Sequence, residues 1–167
     1  ALVLAAVLEE LVGKRLRGPL RTLYFIPAAV AITVVGILFT FIYNPEFGLL
    51  NAVLELVGLE SWTHAWLGEE STAIWSIIAM SQWQGIGYSA ILFVVAIQRI
   101  PRMYYDAVHI DGGGHVRAFF TITVPMVREM TTLLVILTVS GAFLVFNEVM
   151  VMTAGGPNNS SQVLGTW

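Results

Sequence analysis

Basic residues are missing from most of this chain. None occurs in residues 22–98 and none in residues 129–167. Cysteine is absent altogether, which excludes a disulfide framework and a thiolate metal site. Charged residues make up only 11% of the chain, against about 25% in ordinary soluble domains. There is no basic surface of the kind nucleic-acid binding needs. No G-x-x-x-x-G-K-[ST] run occurs, so the chain lacks that phosphate-cradling loop for ATP. The three histidines, His64, His109 and His115, have no ligand spacing, so no metal site is expected. Ser and Thr hydroxyls in the apolar runs have no paired base, so nucleophilic catalysis is not supported.

What is present is apolar. Hydrophobic residues make up 57% of 167 residues. A chain of this length can bury one soluble core, but it cannot also keep these runs in water. The net charge of −3 is uninformative, because the signs are segregated along the chain. The eight Lys and Arg residues form two blocks: Lys14, Arg15, Arg17 and Arg21, then Arg99, Arg102, Arg117 and Arg128. Short cytoplasmic loops of membrane proteins collect Lys and Arg, whereas acids matter little to orientation. Residues 14–21 and 99–128 are therefore expected on the cytoplasmic side of a cell membrane.

The uncharged runs supply the spans. Residues 22–43 number 22, roughly 33 Å as a helix, enough for a hydrocarbon core of about 30 Å. Pro27 is expected in the first turns of that helix, where a missing N–H costs little. Tyr24, Phe41 and Tyr43 lie near its ends, where aromatic rings favour the interface. Asn44-Pro45 breaks it. An outer segment, residues 44–70, follows. In it Leu50, Val53, Leu54 and Val57 have helical spacing, and a loop carries Trp62 and Trp66.

Residues 71–98 form a second span, roughly 42 Å if wholly helical, so it must tilt or extend beyond the core. Residues 130–147 begin a third, which continues past Glu148 to Met152. The TAGGPNNSS run at 153–161 is turn chemistry and is placed outside. Residues 1–12 read as the tail of a membrane helix belonging to a longer protein, and 163–167 as the first residues of another. The expected fold is all-α: one polytopic membrane domain over 1–167, with three complete and two partial transmembrane helices.

The loop at 99–128 is too polar to cross and too patterned for a linker. Ile100-Pro101 ends the preceding helix. Arg102 to Ile110 is expected as a short helix, and Asp111-Gly112-Gly113-Gly114 breaks it. His115 to Thr123 is expected as a second, and Val124-Pro125 launches the next span. Two short helices joined by a glycine turn make a compact knob.

Those residues resemble a known family. Tyr105-Asp106-Ala107-Val108-His109-Ile110-Asp111-Gly112-Gly113, with Ile122-Thr123-Val124-Pro125 after it, is similar to the EAA loop of binding-protein-dependent ABC transporter permeases. That pattern is Glu-Ala-Ala, a few residues, Asp-Gly-Ala, about nine residues, then Ile-x-Leu-Pro. Arg21 to Pro27, Asn44 to Asn51 and the Thr153-Ala154-Gly155-Gly156-Pro157 turn resemble other parts of the same family. The turn is closest to the maltose-transporter first-permease type, in the carbohydrate-uptake branch. Three positions depart from the pattern: Asp106 stands for the usual Glu, Val108 for the second Ala, and Gly113 for the Ala after Asp-Gly.

The resemblance implies a permease subunit of an ATP-driven importer for a sugar or related polyol, not an enzyme. Tyr105, Asp106, Ala107, Asp111 and Gly112 would form the coupling helix and turn seated in a separate ATPase. Small residues permit close approach, and Gly112 permits a left-handed backbone. Asp106 and Asp111 also fit the simpler role of helix-end residues. Implied partners are a second permease, two nucleotide-binding ATPases and an extracytoplasmic solute-binding protein. ATP and Mg would sit on the ATPases, and no cofactor on this chain.

Polar groups within a span are costly and face a cavity or a neighbouring helix. Gln82, Trp83, Gln84 and Tyr88 in the second span, with Asn147 and Glu148 in the third, are the candidate substrate-path residues. Amides, a carboxylate and aromatic rings suit a hydroxylated solute. Interhelical hydrogen bonding without a ligand explains the glutamines equally. Gly85 and Gly87 suit close helix packing. The alternative function is an ion-coupled secondary transporter, which predicts ionisable residues or interrupted helices at mid-membrane. A membrane-embedded enzyme would need clustered acids or His, and the acids here are dispersed.

Overall fold

A computed structural model describes residues 1–10 and 13–167 of the chain. The expected inward partial span at 1–12 therefore falls partly outside the described residues. Among those described there is no strand, and the elements in order are α1 (Leu2–Glu10), α2 (Lys14–Ala29), α3 (Ile32–Ile42), α4 (Leu49–Leu56), α5 (Ala73–Gln98), α6 (Arg102–Ile110), α7 (His115–Ala118), α8 (Val124–Met126), α9 (Arg128–Phe143) and α10 (Asn147–Met152). A π-helical turn, Phe119–Thr123, joins α7 to α8. Short 3-10 turns occur at Glu60–Trp62 and Leu164–Thr166, the latter where the start of a further span was expected.

Only α5, among the described residues, is by itself long and apolar enough to cross a membrane. The count reaches three if each of two bent pairs is one span. The first expected span is corrected in this way. Residues 22–43 are not one helix: α2 starts in the basic segment at Lys14 and stops at Ala29, and α3 restarts at Ile32. Pro27 lies in the last turn of α2 rather than the first turn of a span. Its missing N–H and the clash of its ring with the carbonyl four residues back weaken the ladder just before the break. The third expected span is likewise broken. His115–Met126 bends by 68° into Arg128–Phe143, and Leu144, Val145 and Phe146 separate α9 from α10.

The chain forms two compact units. The first comprises Ala1–Ala28 and Gly85–Val139. Its core joins Ala5 and Ala6 of α1 to Phe93, Val94 and Ile97 of α5, with Ile100, Val127 and Leu134. Gly87 allows α5 to approach α2 closely: a β-carbon there would lie 1.8 Å from the Tyr24 carbonyl oxygen. Gly85 has open space instead and plays no such part. Along α9, Leu133, Val135, Ile136, Leu137 and Val139 are exposed. An apolar face of that extent suits lipid or a neighbouring helix rather than water.

The second unit comprises Ala29–Gln84 and Ser140–Trp167. Val35, Tyr43, Ile77, Met80, Val149 and Met152 form its core. Where α10 crosses α3, Gly36 makes room: a β-carbon there would already be 3.2 Å from Val151 Cγ1. After α3, Asn44 Oδ1 accepts hydrogen bonds from the backbone N–H groups of Glu46 (2.9 Å) and Phe47 (3.2 Å), which fixes the turn before α4. Asn51 on α4 is buried and doubly used. Its Oδ1 accepts from Trp66 Nε1 at 2.7 Å, and its Nδ2 donates to the His64 carbonyl at 3.1 Å. Tyr43 donates to the Ser76 carbonyl at 3.1 Å. The 153–161 turn closes on Ser161, whose hydroxyl lies 2.7 Å from Thr153 Oγ1 and 2.6 Å from the Gly156 carbonyl.

Candidate functional site: a glycine-hinged coupling knob

α6 forms over the residues expected, Arg102 to Ile110. Pro101 precedes it as N-cap with extended backbone, and Asp111 closes it as C-cap. Gly112 follows at φ +75°, the left-handed region in which other residues are strained. Its N–H donates to the His109 carbonyl, and the Gly113 N–H reaches back to the Val108 carbonyl at 2.8 Å. His109 Nδ1 lies 3.0 Å from the Gly113 carbonyl oxygen, so the turn is closed by a side chain as well. α7 then starts at His115, and its ring packs edge-on against His109, with centroids 5.5 Å apart.

Two of the departures from the family pattern compensate each other. A β-carbon on Gly113 would fall 2.5 Å from Val108 Cγ1 and 2.9 Å from the Val108 carbonyl oxygen. The larger side chain at Val108 thus occupies the room that an alanine at 113 would need. The extra glycine tightens the turn against α6 rather than loosening it.

The five proposed coupling residues divide. Asp106, Ala107, Asp111 and Gly112 are exposed on the knob. Tyr105 is half-buried and turned the other way. It packs on the first unit's core, and its hydroxyl lies 3.0 Å from Thr123 Oγ1, a fully buried group. Tyr105 is therefore the root of the knob, not part of its outer face. Sequence reasoning missed Ile110 and Met103. Ile110 ends α6 with 87% of its surface free, and Met103 is also exposed. Their signal was available: long apolar side chains on a short helix that also carries Arg102, Asp106 and His109.

The substrate-path candidates differ in burial. Gln82, Trp83 and Tyr88 are exposed along α5, and the Trp83 ring meets that of Phe39 at a tilt, with centroids 5.2 Å apart. Gln84 alone of that group is buried, at 8% exposure. Its Nε2 donates at 2.8 Å to the carbonyl of Val30, the residue that follows the end of α2. The side chain thus satisfies a backbone acceptor freed by the break, as apolar surroundings require. Its Oε1 is buried without a partner. Asn147 is exposed and Glu148 half-buried in the first turn of α10, where a carboxylate complements the helix dipole. His64 lies 3.2 Å from Glu69, and no group of three potential metal ligands occurs among the described residues.

Known proteins resemble this chain over nearly its whole length. It is 49% identical over 166 residues to the probable ABC transporter permease protein YurN of Bacillus subtilis, covering 99% of this chain and 57% of that one. It is 34% identical over 165 residues to the sn-glycerol-3-phosphate transport system permease protein UgpA of Pectobacterium atrosepticum, covering 98% and 54%. Over 143 residues it is 36% identical to the diacetylchitobiose uptake system permease protein NgcF of Streptomyces coelicolor, covering 84% and 40%. The chain spans about half the length of these curated relatives. Its fold matches a chain of a bacterial alginate ABC transporter, crystallised with a periplasmic protein bound to alginate pentasaccharide. The TM-score is 0.81 at 23% identity, covering 96% of this chain and 55% of that one. Residues 1–166 match the family described as binding-protein-dependent transport system inner membrane component, and the chain belongs to that family.

Proposed function

We propose that this chain is part of the membrane permease of an ATP-driven importer for a sugar or related polyol, and that α6 with its glycine turn is where an ATPase grips it. The observation that carries this reading is the division of α6. Asp106, Ala107, Ile110 and Asp111 are exposed, while Tyr105 roots the helix in the core. A projection that is rigid at its base and free at its tip suits docking into a separate engine. The relatives named for diacetylchitobiose and for sn-glycerol-3-phosphate support a hydroxylated solute.

On this reading residues 14–21 and 99–128 face the cytoplasm of a bacterial or archaeal cell, and 44–70 with 153–161 face outward. A second permease, two nucleotide-binding ATPases and an extracytoplasmic solute-binding protein complete the importer. ATP binding, with Mg, closes the ATPase dimer and carries the knobs with it. The spans then alternate between inward and outward access. Hydrolysis belongs to the partner, and this chain supplies the path, with Gln82, Trp83, Gln84, Tyr88, Asn147 and Glu148 as its candidate lining.

The test uses the complete importer in vesicles. Asp106→Lys reverses charge on the docking face, and Gly112→Pro forbids the positive φ of the turn. Both should insert and assemble yet lose uptake while solute no longer stimulates ATP hydrolysis. Normal uptake and stimulation in both would overturn the assignment.

A further inference from the structure

The described residues contain one carboxylate gripped from three sides. Glu9 lies in the last turn of α1, and its side chain is 9% exposed. Arg17 Nη1 on α2 is 3.3 Å from its Oε2, and Arg21 Nη2, one turn further along α2, pairs with its Oε1. Gln98 Nε2, the last residue of α5, reaches both oxygens at 3.4 Å. A negative charge near the C-terminal end of a helix opposes the helix dipole. Burying it adds a desolvation cost that pairing often only offsets. Simple stability would be served as well by an apolar side chain.

The position of the cluster points to what it does. Glu9, Arg17 and Gln98 share a pocket of about 490 Å³ with Arg102, Asp106 and His109 of α6. Tyr105 of α6 packs on a core built from α1, α5 and α9 residues. Among the described residues, none of α2 belongs to that core. Movement of α6 therefore reaches α1 and α5 through apolar packing; α5 meets the later part of α2 at Gly87 and Tyr24, whereas the start of α2 is tied to this block through Glu9.

We propose that Glu9 is a positioning residue for energy coupling: its ion pairs with Arg17 and Arg21 latch α2 to the block that α6 moves. The proposal rests on the coupling role of α6 given above. When the ATPase displaces α6, α1 and α5 follow by contact and α2 follows through the latch. Without it, α6 still docks and ATP is still hydrolysed, but the span that begins with α2 lags.

The experiment is solute transported per ATP hydrolysed by the complete importer in vesicles, with subunit assembly measured alongside. Glu9→Gln should lower that ratio about five-fold or more, the scale of coupling between linked sites, with ATP hydrolysis retained. Glu9→Arg combined with Arg21→Glu restores the opposite charges and should recover most of the ratio. A packing role alone would not predict such rescue. Arg17→Gln removes the longer pair and leaves that with Arg21, so it should give a smaller fall, which keeps the test open if Glu9→Gln assembles poorly. Asp106→Lys is run beside them. If it uncouples while Glu9→Gln and Arg17→Gln leave the ratio unchanged, the latch is overturned and the coupling role of α6 stands. If Asp106→Lys itself has no effect, the coupling role fails and the latch with it.

Discussion

The two units of this chain are held together by different chemistry. All eight Lys and Arg residues belong to the first, and none to the second. Beside the neutral contact of Tyr105 with Thr123, the first unit has a charged tie, the Glu9 carboxylate with Arg17 and Arg21. The second unit has six acids and no Lys or Arg, and its ties have neutral donors: the Asn51 amide between Trp66 and His64, the Tyr43 hydroxyl on Ser76, the Ser161 hydroxyl inside the 153–161 turn, and the Asn158 amide on the Glu70 carboxylate. His64 Nδ1 lies 3.2 Å from a Glu69 carboxylate oxygen, a well-exposed contact that contributes little. Segregated charge thus has a consequence within the fold. It decides which unit can be wired by ion pairs, and therefore which can respond to an electrostatic push.

This contrast can be broken at points where each unit depends on a single contact. The larger effect is expected in the first unit. Gly87→Leu would drive a side chain into the Tyr24 backbone and should cost about 3 kcal/mol. It should be read as a clear drop in thermal stability of the detergent-solubilised importer. Gly85→Leu, two residues away in open space, should change stability by less than about 0.5 kcal/mol. Equal losses from both would mean that α5 does not press on α2 at Gly87.

A smaller effect is expected in the second unit. Gln84→Leu strands the Val30 carbonyl, but it also removes the unpartnered Oε1, so the net cost should be about 1 kcal/mol. Transport should change with the ATPase still attached, and both effects should be insensitive to salt because no ion pair is involved. Transport kinetics identical to the parent would return Gln84 to a packing role.

Much of this was legible in the sequence because it depends on local signals. The uncharged run at 71–98 appears as α5, shifted by two residues. Pro101 and Asp111-Gly112 delimit α6 at the expected residues, and the period of Leu50, Val53, Leu54 and Val57 appears as α4. The misses share a cause. Hydropathy does not register where a backbone ladder stops, so 22–43 read as one span although Pro27 precedes a break. The residue that repairs the break, Gln84, is 54 positions from Val30. The gap at Leu144, Val145 and Phe146 contains no proline or glycine and carried no local warning. Tyr105 was placed on the docking face because the resemblance is linear, whereas a helix turns neighbouring residues in different directions. Glu9 went unread because its partners lie 8, 12 and 89 positions away.

The most direct test of the account exploits the absence of cysteine in this stretch. Single cysteines placed at Ile110, at the tip of the knob, and at Trp62, in the 44–70 segment, are exposed to a membrane-impermeant thiol reagent in sealed cells carrying an otherwise cysteine-free importer. Trp62→Cys should label in intact cells, and Ile110→Cys only after the membrane is opened. Labelling of Ile110→Cys from outside intact cells would contradict the account, because the knob would then lie on the wrong side of the membrane to meet an ATPase.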